Sequence, residues 1–344
     1  MISESLIKKN TVVKPEVDFS IIMVVFNTEI FIKYAIESVI NQTYENWELI
    51  IVDDCSQDRS YEIALKYQSK DNRIKCFRLK KNKGQGYARN YAIKKASGDW
   101  ISTLDSDDIF LNNKLEAHKE IIDSYNDNLI LIGSGLSLIN KKGKFLKKVY
   151  FPSCSKKLKR NLLKFHKFPP HSSIVCQRKA LLDIGGYNEF FYRSQDYDLW
   201  LRLMNKGNFT CIKKILIQYR VHDSNASKKN LKNLSQYHFS VAALVCNYFR
   251  ENNFDDPSNN QTDLNFLLTE IDTLYHDTSQ SKILEIKRLI QSYSKSISIF
   301  ILMKFFVFHP LLCYRLIIER LGYLYFLKKV FNHYKKIMIL NERV

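Results

Sequence analysis

Three carboxylates within four residues, Asp105-Ser106-Asp107-Asp108, follow an apolar stretch over 100–104. Carboxylates this close repel one another when ionised, and a fold that keeps them together must offset that cost. A divalent cation does so directly, because Mg2+ and Mn2+ bind carboxylate oxygens and substrate phosphates. Capping of the next turn accounts for one of the three and leaves two unexplained. Asp53-Asp54 ends a second apolar stretch, Ile50-Ile51-Val52. A strand-end Asp accepts hydrogen bonds from a base or ribose, or closes an Asx turn. Residues 82–90 (NKGQGYARN) carry two glycines that let backbone amides approach a phosphate, with Arg89 adding charge near a helix start. A plain strand-to-helix turn uses the same residue types. Asp196, within Gln195-Asp196-Tyr197-Asp198-Leu199-Trp200, stands at a helix start, as a cap or as a general base for a substrate hydroxyl. His222 closes Tyr219-Arg220-Val221-His222, where a neutral imidazole either packs structurally or completes a metal shell.

These groups need elements that bring them to one edge. Residues 19–26 (FSIIMVVF) and 48–52 (ELIIV) are continuous apolar runs, the pattern of strands buried on both faces. Residues 74–79 and 100–104 read as two more strands. Between them lie helical patterns: 29–42 with Ile32, Ala35, Ile36, Val39 and Ile40 on one face, then 58–66, then 86–96 with Ala88, Ala92, Ile93 and Ala96. A further helix is predicted over 112–125. Such alternation predicts an α/β fold with a mostly parallel sheet and helices on both faces. Ligands bind such sheets at the carboxyl ends of the strands, where Asn27, Asp53-Asp54 and the 105–108 cluster fall. Longer strands joined at Lys142-Gly143 are predicted over 129–151, an amphipathic helix over 196–206, and a strand over 209–221. After about residue 228 the pattern is helical, with a loop at 251–261 and breaks near 277–280 and at Pro310. The predicted organisation is an N-terminal extension (1–17), an α/β domain (18–225) and a C-terminal helical region (226–344).

Composition narrows the function classes. The chain has 344 residues, 45% of them hydrophobic, including 22 Phe and 20 Tyr, which excludes a disordered chain. Seven cysteines without a CxxC pair indicate neither a thiolate zinc site nor a disulfide framework, and a reducing cytosol is expected. Residues 1–17 lack the apolar core of a signal peptide, and the first apolar run is too short to span a membrane. The net charge of +18 is uneven. Residues 141–168 hold eleven Lys and Arg and no acid, and 297–344 hold eight against two Glu, there mixed with apolar and aromatic side chains. Such patches call for an anionic partner (phosphate, nucleic acid or an acidic lipid surface) or are simply solvated. Lys304 and Pro310 interrupt the last segment, so a helix lying in the membrane interface is expected there rather than a spanning one. A helical cap or a dimer interface is the alternative. A nucleic-acid-binding protein would leave the strand-end carboxylates unexplained, since they repel phosphate. A sugar nucleotidyltransferase usually needs a Gly-rich loop after the first strand, where this chain reads Asn27-Thr28-Glu29-Ile30. A catalytically silent scaffold is the remaining alternative, and Asp196→Asn separates it from an enzyme.

Six segments, VVFN (24–27), IIVDDCSQD (50–58), NKGQGYARN (82–90), GDWISTLDSDD (98–108), GGYNEFFYRSQDYDLWLRL (185–203) and YRVH (219–222), together resemble family-2 glycosyltransferases of the GT-A fold. The likeness covers about residues 18–225, in order and with the family's spacing. In style it is nearest to bacterial enzymes that build O-antigen or capsular polysaccharide. The resemblance implies that Phe26, Asn27 and Asp54 hold the uracil of a UDP-sugar. Gly84, Arg89, Asp105 and Ser106 would lie along the rest of the donor. Asp107 and His222 would bind Mn2+ or Mg2+ on the diphosphate. Asp196 would be the base that deprotonates the acceptor hydroxyl, with inversion at the anomeric carbon. His171, Asp198 and Trp200 would lie on the acceptor side. The implied acceptor is a glycan or a polyprenyl-diphosphate-linked oligosaccharide at the inner leaflet. The implied protein is cytoplasmic, peripherally membrane-associated, without a nucleic-acid partner and open to homodimer formation. Two departures stand out: Val24 where the family often has Pro, and Gln195 where many members have Glu, which removes a charge beside Asp196.

Overall fold

A computed structural model describes residues 17–276 apart from 126–127, 165–167, 224, 226–235 and 252. The extension up to residue 16, the basic segment over 297–344 and the breaks predicted near 277–280 and at Pro310 lie outside the described residues.

The first half builds as the alternation predicts. Strands β1 (Phe19–Val25) and β2 (Trp47–Asp53) are buried almost throughout, as their continuous apolar runs require. Helix α1 (Ile32–Ile40) buries Ile32, Ala35, Ile36 and Val39, one face at helical spacing. Helix α2 (Ser60–Gln68) leads to β3 (Ile74–Arg78), and α3 (Gln85–Lys95) to β4 (Trp100–Thr103). β1 runs parallel to both β2 and β4, and β2 parallel to β3. All four strands therefore deliver their carboxyl ends to one edge.

Beyond β4 the sheet becomes mixed. A two-residue strand, β5 (Ile109–Phe110), precedes α4 (Lys114–Ser124). The long strand β6 (Leu129–Asn140) turns at Lys142-Gly143 into β7 (Phe145–Val149), the expected hairpin. Helix α5 (Ser155–Leu163), β8 (Val175–Gln177) and α6 (Arg178–Asp183) follow. None of the three was predicted; β8 and α6, of three and six residues, are too short to show a period. Helix α7 (Gln195–Leu203) and β9 (Asn208–Val221) complete this part. The order across the sheet is β3-β2-β1-β4-β8-β6-β9-β5, with β7 beside β6. β8 is antiparallel to its neighbours β4 and β6, whereas β6 and β9 run parallel. The sheet is thus parallel where strands and helices alternate and mixed after it.

Two further helices, α8 (Gln236–Glu251) and α9 (Gln261–His276), follow the sheet. Phe239, Val241 and Val245 of α8 and Leu264 and Ile271 of α9 belong to the same buried cluster as the strands. Among the described residues no helix is long and apolar enough to cross a membrane.

Candidate active site

The carboxyl edge of the parallel strands gathers the polar groups. After β1 the chain turns through Asn27, whose φ of 54° is left-handed, a conformation Asn adopts more readily than most residues. The Asn27 amide donates to Ser56 Oγ (3.0 Å), and its side-chain oxygen accepts from the Gln57 amide (2.8 Å). Phe26 and Asn27 form an exposed lip beside the β2 end. Asp54 is buried, and its two oxygens accept the amides of Lys83 (2.7 Å) and Gly84 (2.9 Å). Burial pushes its carboxyl above the usual range, and the two amides only partly oppose this. Asp54 thereby fastens the turn that enters α3. Gly84 sits at φ 86° and ψ 160°, a region essentially closed to side chains, so the turn needs glycine there.

The three carboxylates after β4 separate into three environments. Asp105 Oδ1 lies 3.1 Å from Arg89 Nη2 and 3.4 Å from His171 Nδ1. Burial opposes its ionisation, but His171 and Arg89 outweigh burial and hold the carboxyl well below the usual range. Ser106 is buried beside it. Asp107 Oδ2 meets His222 Nε2 at 2.9 Å and accepts from Asn225 Nδ2 at 3.2 Å. Burial and the nearby Asp105 charge raise its proton affinity, and His222 only partly offsets them. Asp108 is fully buried, bonded to Ser172 Oγ and to the Arg220 amide (2.8 Å). Its carboxyl is driven well upward by burial and by its two acidic neighbours. Asp108 therefore joins the β4 end, the 171–173 turn and β9, and is not a cap.

Asp196 reaches the site from the other side. Helix α7 begins after Ser194, which is left-handed at φ 53° and bonds Gln236 O (3.0 Å) and Ser240 Oγ (2.8 Å) of α8. Gln195 Oε1 accepts from Arg89 Nη1 at 3.0 Å. One buried guanidinium thus spans from Asp105 to the residue next to Asp196. Gln195 keeps this bond without bringing a second carboxylate to Asp196. The phenol of Tyr219 is pushed upward by burial and then by the charges of Asp108, Asp105, Asp107 and Asp196, which all act on this one side chain. The Asp196 carboxylate is half-exposed, and its one partner among the described residues is the Tyr197 amide (2.9 Å).

The residues expected on the acceptor side divide. His171 is buried in the site, 2.6 Å from the Tyr187 hydroxyl, with the Trp200 ring 6.2 Å from its own. Asp198 does not face the site. It is fully buried and held by Arg202 Nε (2.8 Å) and Arg250 Nη2 (3.3 Å). That correction follows from its place in α7, two residues after Asp196 and so on another face of the helix.

Several contributing residues were not singled out from sequence. Arg220 donates to Asp107 O (2.9 Å) and lies over the Phe31 ring, which in turn stacks on His222 at 4.8 Å. Arg220 lies within the YRVH segment, so its charge was a usable signal. Asn225, three residues after His222, binds both the His222 amide (2.6 Å) and Asp107. Asn90 clamps the 187–189 segment through the Tyr187 amide and carbonyl, both at 2.8 Å. Gly186, at φ 73°, makes room for it, since a Cβ there would fall 2.4 Å from Asn90 Oδ1. Asn90 and Tyr187 are 97 positions apart and give no local signal.

The profile of Glycosyl transferase family 2 matches residues 20–185. The chain is 34% identical over 222 residues to the O-antigen biosynthesis glycosyltransferase WbnJ of Escherichia coli, covering 62% of this chain and 83% of WbnJ. It is 34% identical over 225 residues to WfgD of Escherichia coli, described as a UDP-Glc:alpha-D-GlcNAc-diphosphoundecaprenol beta-1,3-glucosyltransferase. That match covers 63% of this chain and 82% of WfgD. In fold it is similar to S. aureus TarS 1-349 in complex with UDP, with a TM-score of 0.53 at 19% identity over 86% of this chain and 82% of the other. The carboxylate-bearing strand edge and these relatives agree: the chain belongs to the family-2 glycosyltransferases and has the GT-A fold.

Proposed function

We propose that the protein transfers a hexose or N-acetylhexosamine from a UDP-sugar to a hydroxyl of a glycan or polyprenyl-diphosphate-linked acceptor, in surface polysaccharide synthesis. The observation that carries this is Arg89, which holds Asp105 of the donor edge and Gln195 beside Asp196 at once. The names of WfgD and WbnJ support the donor class, the lipid-linked acceptor and the polysaccharide context. In this reading residues 18–225 are the transferase unit and 226–344 a helical region that brings it to the inner leaflet.

Asp196 takes the proton of the acceptor hydroxyl as that oxygen attacks the anomeric carbon. The nucleoside diphosphate leaves from the opposite side, so configuration inverts. Phe26, Asn27 and the β2 end would receive the base, and the α3 start and Arg89 would face the diphosphate. Asp107 and His222 fit a divalent cation. Their facing oxygen and nitrogen are 2.9 Å apart, the spacing of neighbouring donors on one ion with bonds near ~2.1 Å. Among the described residues no three His, Cys, Asp or Glu side chains are placed to hold one ion together, so substrate oxygens and water would fill the remaining positions. Bound there, the ion would offset the charge that develops on the leaving diphosphate.

The test is thermal-shift titration with UDP and Mn2+, beside GDP, CMP and Asp107→Ala. A stabilisation specific to UDP, dependent on metal and absent in the variant is expected. A folded protein that responds to no nucleotide would overturn the reading.

A further inference from the structure

The fold splits the acid-free run over 141–168. Residues 156–160 lie on α5, whose start is tied to the beginning of β9 by Ser155 Oγ at Phe209 N (3.1 Å) and Ser153 O at Thr210 Oγ1 (3.0 Å). That is the end of β9 away from His222. The first part of the run forms the β6–β7 hairpin, and its turn lies at the site. Arg220 Nη1 donates to the carbonyls of Asn140 (3.4 Å) and Lys141 (3.1 Å), while its Nε holds the Asp107 carbonyl (2.9 Å). One guanidinium thus separates the hairpin turn from Asp107.

β7 is exposed on both faces, which a strand seldom is. Phe145 is 54% exposed, Leu146 50% and Tyr150, just past the strand, 52%. Around them stand Lys141, Lys142, Lys144, Lys147 and Lys148, and no carboxylate among the described residues pairs with these five. Lysines alone would serve to blunt a free strand edge. Exposed Phe and Leu beside them do the opposite, so edge protection does not account for the pattern. A nucleic acid would engage the lysines and leave Leu146 without a role. An anionic bilayer surface takes both: the apolar side chains enter the headgroup boundary and the ammonium groups meet lipid phosphates.

We infer that the β6–β7 hairpin, residues 140–150, docks on an anionic lipid surface. Docking brings the Asp107 side of the site to that surface, where a lipid-linked diphosphate acceptor lies; this last consequence rests on the proposed function, and the docking does not.

The test uses the full chain with vesicles of phosphatidylcholine alone or with phosphatidylglycerol. One variant replaces the five lysines by Gln; a second is Phe145→Ser with Leu146→Ser. Segment 297–344 can contribute to pelleting, so contact is also read at the hairpin, as quenching of Phe145→Trp fluorescence by brominated lipid. Each lysine at an anionic surface contributes roughly fivefold. Pelleting with phosphatidylglycerol vesicles is therefore expected to weaken by at least about tenfold in the lysine variant. It should also weaken in the apolar one, with quenching only where phosphatidylglycerol is present. Variants that pellet like the wild type, or an unquenched Trp, overturn the inference, as does lysine-dependent binding of duplex DNA without vesicle binding. The UDP response is measured on the same proteins. Its absence from wild type and variants alike would sink the transferase reading while leaving the docking result standing.

Discussion

Among the described residues Asp196 accepts only the Tyr197 amide, whereas Asp105, Asp107 and Asp108 are each bound by other side chains or by β9. A general base needs an oxygen free to take a proton, so this difference in partners separates Asp196 from the other three carboxylates. Asp196→Asn keeps the volume and removes the basicity. Its turnover is expected to fall by ~10²–10⁴-fold while UDP affinity stays unchanged, read by UDP release and by calorimetric titration. A loss of UDP binding instead would make Asp196 a structural cap. Asp105 differs in kind: ionised, with Arg89 and His171 against it, it orients the guanidinium rather than exchanging protons.

At the scale of elements, Glu48 ties β1, β2 and the turn before β4 together. Its buried carboxylate accepts from Ser20 Oγ (2.6 Å), from the Ser97 amide and hydroxyl (2.7 Å each) and from Lys75 Nζ (2.7 Å). Burial alone would raise its pKa, but Lys75, Ser20 and Ser97 lower it from 4.5 to about 2. A carboxyl with a lowered folded-state pKa stabilises fully above its unfolded value, and the gain is lost as pH falls toward the folded value. The protein is therefore expected to lose on the order of 3 kcal/mol from this group between about pH 4.5 and 2. Glu48→Gln should flatten that part of the pH–stability curve in denaturant titrations and lower stability at pH 7. An unchanged curve would show that Glu48 does not hold these strands.

For the whole molecule, the helices after the sheet are coupled to α7, the helix that carries Asp196. Asp198 of α7 is gripped by Arg202 and by Arg250 of α8, and Arg250 also holds Asp256 (2.6 Å). Removing the shared carboxylate leaves two guanidinium groups largely buried without it. Asp198→Ala is expected to cost about 3–5 kcal/mol, measured by chemical denaturation as one cooperative transition. If the loss falls below about 1 kcal/mol, water or Asp256 compensates and the coupling of α8 to the site is weak.

The sequence by itself determined the parallel half of the sheet, because buried strands and amphipathic helices write continuous and periodic apolar patterns. It also placed Asn27, Asp54 and Asp105–Asp108 at strand ends, since a polar residue that stops an apolar run marks the strand's edge. Only the tertiary structure decided which partner each carboxylate binds. Asp105, Asp107 and Asp108 are alike as letters, and their separation into Arg89-, His222- and Arg220-bound groups comes from contacts across 16 to 115 positions. Asp198 was expected on the acceptor side, near the base Asp196, and the half turn of helix between them sends it to Arg250 instead. The mixed strands after β4 were equally hidden in part, because a three-residue strand such as β8 carries no period and is held by its neighbours.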